Sequence, residues 1–203
     1  MRRLIVLSFV SLDGIMQAPG GPGEDRSGGF EYGGWMVPYA DEFLGQVMAG
    51  QMGRPFDLLL GRKTYEIFAS YWPRKRDPDD ATAAGLNRAT KYVASRTLSR
   101  LVWGPSVLIN GDVVSEIRKL KAQDGPELQV HGSGDFIQTL LANDLVDELW
   151  LKTFPVTLGK GKRLFAGGAV PASFKLRDGK VSPRGVIVAN YEREGEVRTG
   201  SFD

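Results

Sequence analysis

The chain has 203 residues, 42% hydrophobic and 25% charged, enough apolar side chain for one well-buried core in an ordinary globular domain. Lys and Arg number 26 against 24 Asp and Glu, a net charge of +2 without a basic tract, so nucleic acid is not an expected partner. The absence of cysteine and the single histidine exclude disulfides and a Cys-His dyad, speak against a metal site, and make the cytoplasm the default compartment.

Met1-Arg2-Arg3 leads into Leu4–Val10, an apolar run too short to span a membrane that continues into Ser11-Leu12-Asp13-Gly14 rather than a cleavage site. It is predicted to be the first strand, closed by an Asp-Gly turn, and neither membrane association nor targeting is expected. Residues 17–34 hold seven glycines and two prolines without periodicity and are predicted to form a long loop of the kind that serves as a lid. Ala40, Phe43, Leu44, Val47 and Met48 then recur at helical spacing.

Strand Asp57–Leu60 breaks at Gly61 into Arg62-Lys63-Thr64 and a helix carrying Tyr65, Phe68, Ala69 and Trp72 on one face. A polar loop is predicted over 73–82, then a strand Lys91–Ala94 ending in Ser95-Arg96-Thr97. Strand Ser106–Asn110 precedes a helix marked by Val113, Ile117 and Leu120. Strand Leu128–His131 runs through Gly132-Ser133-Gly134-Asp135 into a helix with Phe136, Ile137, Leu140 and Leu141. The last strands are Asp147–Thr153, Phe174–Val181 and Gly185–Tyr191, the final two joined by Ser182-Pro183-Arg184. Alternating strands and helices predict an α/β domain with a mixed, mostly parallel sheet of about eight strands, ending in an antiparallel hairpin. The chain beyond Tyr191 is expected to fray.

Two strand-to-helix junctions carry glycine where an anion would dock on unpaired backbone N–H groups: Gly61-Arg62-Lys63-Thr64 and Gly132-Ser133-Gly134. The second is not a Rossmann fingerprint, because Ile137 stands at the third glycine position and no acid lies near Lys152. Each junction is open to two readings, a phosphate seat or a solvated turn. Ser95 and Arg96 close a parallel strand at the edge where such sheets bind ligands, and Arg96 reads either as a 2′-phosphate contact or as a surface residue. His131 reads as a cofactor contact or a structural histidine, and Leu158-Gly159-Lys160-Gly161-Lys162-Arg163 as a phosphate-attracting loop or a basic turn. Asp41 borders the apolar face of the first helix while Glu42 points away, which makes Asp41 either a half-buried proton donor or an acid complementing the helix dipole.

Taken in order, Ser11-Leu12-Asp13-Gly14, Gly61-Arg62-Lys63-Thr64-Tyr65-Glu66, Ser95-Arg96-Thr97, Gly132-Ser133-Gly134, Val146-Asp147-Glu148-Leu149 and Pro155-Val156-Thr157-Leu158-Gly159-Lys160-Gly161 resemble the dihydrofolate reductase superfamily. The closest branch resembles the reductase domain of the riboflavin-synthesis deaminase-reductase, over nearly the whole chain. The resemblance implies a single reductase domain over residues 1–193, with 194–203 as a disordered tail. It implies NADPH as cofactor, a homodimer, and hydride transfer to a small pteridine- or pyrimidine-type heterocycle, as in 5-amino-6-(5-phosphoribosylamino)uracil reductase or dihydrofolate reductase. Gly61, Arg62, Lys63, Thr64, Gly132, Ser133, Gly134 and Asp135 would hold the pyrophosphate side, and Ser95 and Arg96 the 2′-phosphate. The turn at Ser11, Asp13, Gly14 and Ile15 would meet the nicotinamide. Trp35-Met36-Val37-Pro38 before an acidic helix is similar to the substrate helix of dihydrofolate reductases, so Trp35 and Asp41 are the expected substrate residues, with the acid one position out of register. The competing expectation is a non-catalytic NADP(H)-binding module or sensor, separated from the enzyme by whether a carboxyl group reaches the substrate space.

Overall fold

Strand β1 (Leu4–Ser11) sends Leu4, Val6 and Val10 to one face and Ile5 and Leu7 to the other, and all five are buried, as the middle of a parallel sheet requires. A computed structural model describes residues 1–77, 79–165 and 170–202. Around β1 it builds one eight-stranded sheet in the order β4-β3-β2-β5-β1-β6-β8-β7. The other strands are β2 (Phe56–Gly61), β3 (Lys91–Ala94), β4 (Ser106–Ile109), β5 (Glu127–Val130), β6 (Glu148–Phe154), β7 (Ser173–Val181) and β8 (Ile187–Gly195). All pairings from β4 across to β6 are parallel; β8 runs antiparallel to β6 and to β7.

The helices are α1 (Glu42–Met52), α2 (Arg62–Tyr71), α3 (Ala81–Arg88), α4 (Val113–Ala122) and α5 (Gly134–Ala142). Ile117 and Leu120 of α4 and Phe136, Ile137 and Leu140 of α5 pack with Leu4, Val6, Leu128 and Val130 on one face of the sheet. On the opposite face Met52 of α1, Tyr65 of α2 and Leu86 of α3 pack with Ile5, Leu7, Leu58, Leu60 and Trp150. No helix among the described residues is long and apolar enough to cross a membrane, and none of their His, Asp and Glu side chains cluster as a metal site.

The predicted α/β architecture and its closing antiparallel hairpin are observed, and the first seven strands begin and end within a residue of the expected positions. Three details differ. The loop expected over 73–82 is shorter: a 3-10 turn (Trp72–Arg74) takes its start and α3, whose N-cap Asp80 accepts from the Ala83 N–H at 2.9 Å, takes its end. The sequence of α3, Ala-Thr-Ala-Ala-Gly-Leu-Asn-Arg, offers one large apolar side chain, so helical periodicity had nothing to register. Helix α1 starts at Glu42, leaving Ala40 outside it and Asp41 as its N-cap. Strand β8 continues to Gly195 rather than fraying after Tyr191, because its partner β7 reaches back to pair Ser173 with Gly195.

Candidate functional site

Neighbouring strands β2 and β5 send their following helices to opposite faces of the sheet, α2 to one and α5 to the other. Such a divergence leaves a crevice at the carboxyl ends of the strands, where open α/β sheets bind ligands. Here it opens into a cavity of about 820 Å³ lined by both glycine junctions, α1 and the glycine-rich loop.

The two junctions are pressed onto each other. The Gly61 N–H donates to Gly132 O at 3.3 Å, the Thr64 N–H donates to Ser133 Oγ at 3.3 Å, and the two hydroxyls lie 3.2 Å apart. A Cβ on Gly132, whose φ is +152°, would fall 2.5 Å from Thr64 Oγ1, and one on Gly61 would fall 2.7 Å from Ser133 Oγ, so glycine is required at both. Neither α2 nor α5 is capped by the side chain of its own N-cap residue, although Ser133 Oγ takes the Thr64 N–H of α2. The remaining first-turn N–H groups and the positive ends of both dipoles converge on the cavity. Arg62 and Lys63 stand beside them, exposed, with Arg62 only loosely paired to Glu66 at 3.8 Å. The arrangement is chemically an anion seat, with Asp135 at its rim.

The facing wall carries carboxylates. Asp41 Oδ1 accepts the Leu44 N–H at 2.8 Å and so caps α1, while its Oδ2 is buried at the cavity without a hydrogen-bond partner. Glu24, from the glycine-rich loop, accepts from the Gly20 N–H at 2.7 Å, and burial raises its pKa above the usual carboxylate value. Beside it Asp25 pairs with Lys162 at 2.5 Å; burial opposes ionisation, but the bonds from Lys162 and Ser27 prevail and hold its pKa at about 2. The glycine-rich loop is pinned rather than free: Gln17 donates to the carbonyls of Asp25 and Ser27 and accepts from the Lys162 N–H at 3.0 Å.

From His131, which lines the cavity, a polar chain that sequence reading missed runs into the core. His131 Nε2 sits 3.3 Å from Gln129 Oε1, and Gln129 Nε2 donates to Gln51 O at 3.1 Å and to Glu127 at 2.8 Å. Lys152, 1% exposed, donates to Gln51 Oε1 and lies 5.4 Å from the Phe9 ring centroid. Burial pulls its pKa down to about 7, and burial together with the Lys152 charge pulls that of His131 down to about 3. A neutral His131 that positions Gln129 agrees with its structural reading. Lys152 had a sequence signal: strand alternation puts it on the inward face with Trp150 and Phe154.

The cavity gathers Asp41, Gly61, Arg62, Lys63, Thr64, Gly132, Ser133, Gly134 and Asp135. It does not gather the rest of the expected set. Ser11 Oγ donates to Asp13 at 2.5 Å and accepts from the Ile15 N–H at 2.9 Å. Asp13 in turn accepts from the Leu158 and Gly159 N–H groups at 3.1 and 2.8 Å and pairs with Arg163 at 3.8 Å, so its pKa is lowered, chiefly by Ser11. Gly14 O accepts from Leu164 and Ile15 bridges to Arg163, so this turn braces the 158–164 loop. Trp35 is buried with Nε1 on Gln17 O at 2.8 Å and its ring edge-on to Phe154; Met36 lines the cavity in its place. Ser95 Oγ is spent on the Thr97 and Leu98 N–H groups, and Arg96 is exposed, next to the cavity residue Ala94.

Comparison with known proteins agrees with this geometry. The family profile of the RibD C-terminal domain matches residues 2–188. The chain is 28% identical over 200 residues to the uncharacterized protein YyaP of Bacillus subtilis (strain 168), covering 96% of each. A crystal structure of a putative riboflavin biosynthesis protein from Shewanella sp. PV-4 superposes with a TM-score of 0.71 at 26% identity, covering 95% of this chain and 99% of the other. The Thermotoga maritima diaminohydroxyphosphoribosylaminopyrimidine deaminase/5-amino-6-(5-phosphoribosylamino)uracil reductase gives 0.60 at 14% identity, with 95% of this chain on 56% of that one. Dihydrofolate reductase from Enterococcus faecalis, complexed with NADP(H) and RAB-propyl, gives 0.58 at 13% over 94% and 96%. The last two likenesses show the fold.

Proposed function

Since the chain belongs to the RibD C-terminal domain family, we propose that it is an NADPH-dependent reductase that transfers a hydride to a small pteridine- or pyrimidine-type heterocycle. One observation carries the reading. The first turns of α2 and α5 and the acid Asp41, one of whose carboxylate oxygens is buried without a hydrogen-bond partner, line the same cavity. An anion seat alone would serve a binding module; the carboxylate on the opposite wall is what a reductase adds.

NADPH fits the donor set on the seat side. The main chain of Gly132 and Gly134, the hydroxyls of Thr64 and Ser133, and the cations of Arg62 and Lys63 would hold its pyrophosphate, with Arg96 beside the adenosine end. Bound there, the cofactor supplies the hydride, and the protein has to align the rings, exclude water and deliver a proton. The proton falls to Asp41. Its Oδ1 is held by the helix cap, which leaves Oδ2, the oxygen without a partner, to hold a proton for a ring nitrogen. Leu7, Phe9, Leu44 and Met48 keep that space apolar.

Asparagine at position 41 keeps the N-cap and cannot donate the proton. Asp41→Asn is expected to slow NADPH oxidation by about 100-fold or more while leaving NADPH affinity within about twofold. The readout is absorbance at 340 nm against dihydrofolate, other dihydropteridines and the phosphoribosylamino-pyrimidine. Unaltered turnover removes Asp41 from the mechanism, and NADPH binding without oxidation of any of these or of an uncharged pteridine or pyrimidine returns the chain to the module reading.

A further inference from the structure

The cavity that holds the seat is also lined by Met48 of α1, Phe68 of α2, Trp72 just beyond it, and Asp80 and Thr82 at the start of α3, while Met52 and Leu86, 1% and 2% exposed, belong to the core. Trp72 follows Arg62 by ten residues, which places it about 15 Å along the helix from the anion seat.

Outside the seat, the cavity is lined by Glu24, Asp41 and Asp80 and by Asp25 and Lys162, which pair with each other, so among the described residues no unpaired cation stands beside those three acids. Lys152 does not line the cavity, and Asp80 spends one carboxylate oxygen on the Ala83 N–H. A phosphate or carboxylate group lodged here would meet carboxylates with no cation to offset them, in a space whose apolar walls strengthen the repulsion.

From this we propose, building on the reductase reading, that the substrate carries no phosphate or carboxylate: it is an uncharged or cationic heterocycle with an apolar, preferably aromatic, substituent that lies against Met48, Phe68 and Trp72 and points a hydrogen-bond donor at Asp80. Thioethers and aromatic edges suit such a group. The site thereby parts from phosphorylated pyrimidines, the substrate class to which the resemblance points.

The test is calorimetric titration of three probes, 2,4-diamino-5-benzylpyrimidine and its para-carboxylate and para-phosphonate, into the protein with and without NADPH. The benzyl compound is expected to bind about tenfold or more tightly than either anion. Asp80→Asn, which keeps the cap of α3, is expected to narrow that gap to about threefold. Equal or tighter binding of an anion, an unchanged gap in Asp80→Asn, or no binding of the benzyl compound overturns the proposal. Heat from NADPH alone reports separately on the cofactor seat, and NADPH oxidation on the reductase reading, since the probe ratios are measured in the absence of NADPH as well.

Discussion

At the scale of single residues, the sequence marks polar groups but does not say on what they are spent. Asp13 and Asp41 look alike in the chain, each an acid beside a turn. Asp13 is consumed by two backbone N–H groups and Arg163, whereas Asp41 keeps an oxygen in reserve. Asp13→Ala is therefore expected to lower the melting temperature by a few degrees without changing NADPH affinity; a selective loss of affinity would restore it to the ligand site. Lys152 is a residue that burdens the fold. Its pKa of about 7 lies below the ordinary 10.5, so the unfolded chain binds more protons between those values. Stability from this group should rise as pH climbs from about 7 to 10.5. His131, at about 3 against 6.5, should likewise withdraw stability as pH falls from 6.5 toward 3. Lys152→Met is expected to raise stability at pH 7 by about 1–3 kcal/mol and to flatten the alkaline rise in urea unfolding; a drop in stability with the slope intact contradicts this.

At the scale of elements, strands and amphipathic helices were legible because burial imposes their period, and α3 was not because alanine and glycine carry no period. The position of α2 also depends on a contact distant in sequence. Tyr65 Oη accepts the N–H groups of Val102 and Trp103 at 2.7 and 2.9 Å, tying the helix behind the anion seat to the loop before β4. Tyr65→Phe leaves the buried Trp103 N–H unmatched and frees the exposed Val102 N–H to water, and is expected to cost about 1–3 kcal/mol, measured by chemical denaturation; a neutral effect would mean the loop finds other acceptors. Gly61 and Gly132 were visible as glycines, yet only the structure shows that the two junctions are packed against each other. Gly132→Ala forces a Cβ onto Thr64 and should weaken NADPH binding at least about tenfold, about 1.4 kcal/mol or more.

At the scale of the whole molecule, the sheet order decides where chemistry can happen. Periodicity predicts that strands and helices alternate, but not that β5 inserts between β1 and β2 and so brings residues 61–64 and 132–135 to one crevice. That long-range order was available from the sequence only through the family resemblance, and the orientation of the Ser11–Ile15 turn, Trp35 and Ser95 was not available at all. The reductase reading requires that the crevice hold a reduced nicotinamide nucleotide. The most direct measurement is quenching of tryptophan fluorescence by NADPH and NADH in the native chain and in Arg62→Ala and Arg96→Ala. NADPH is expected to bind more tightly than NADH, Arg62→Ala to weaken both by about 1.5–3 kcal/mol, and Arg96→Ala to remove the preference for NADPH alone. No binding of either nucleotide, or affinities that neither substitution changes, would contradict that reading.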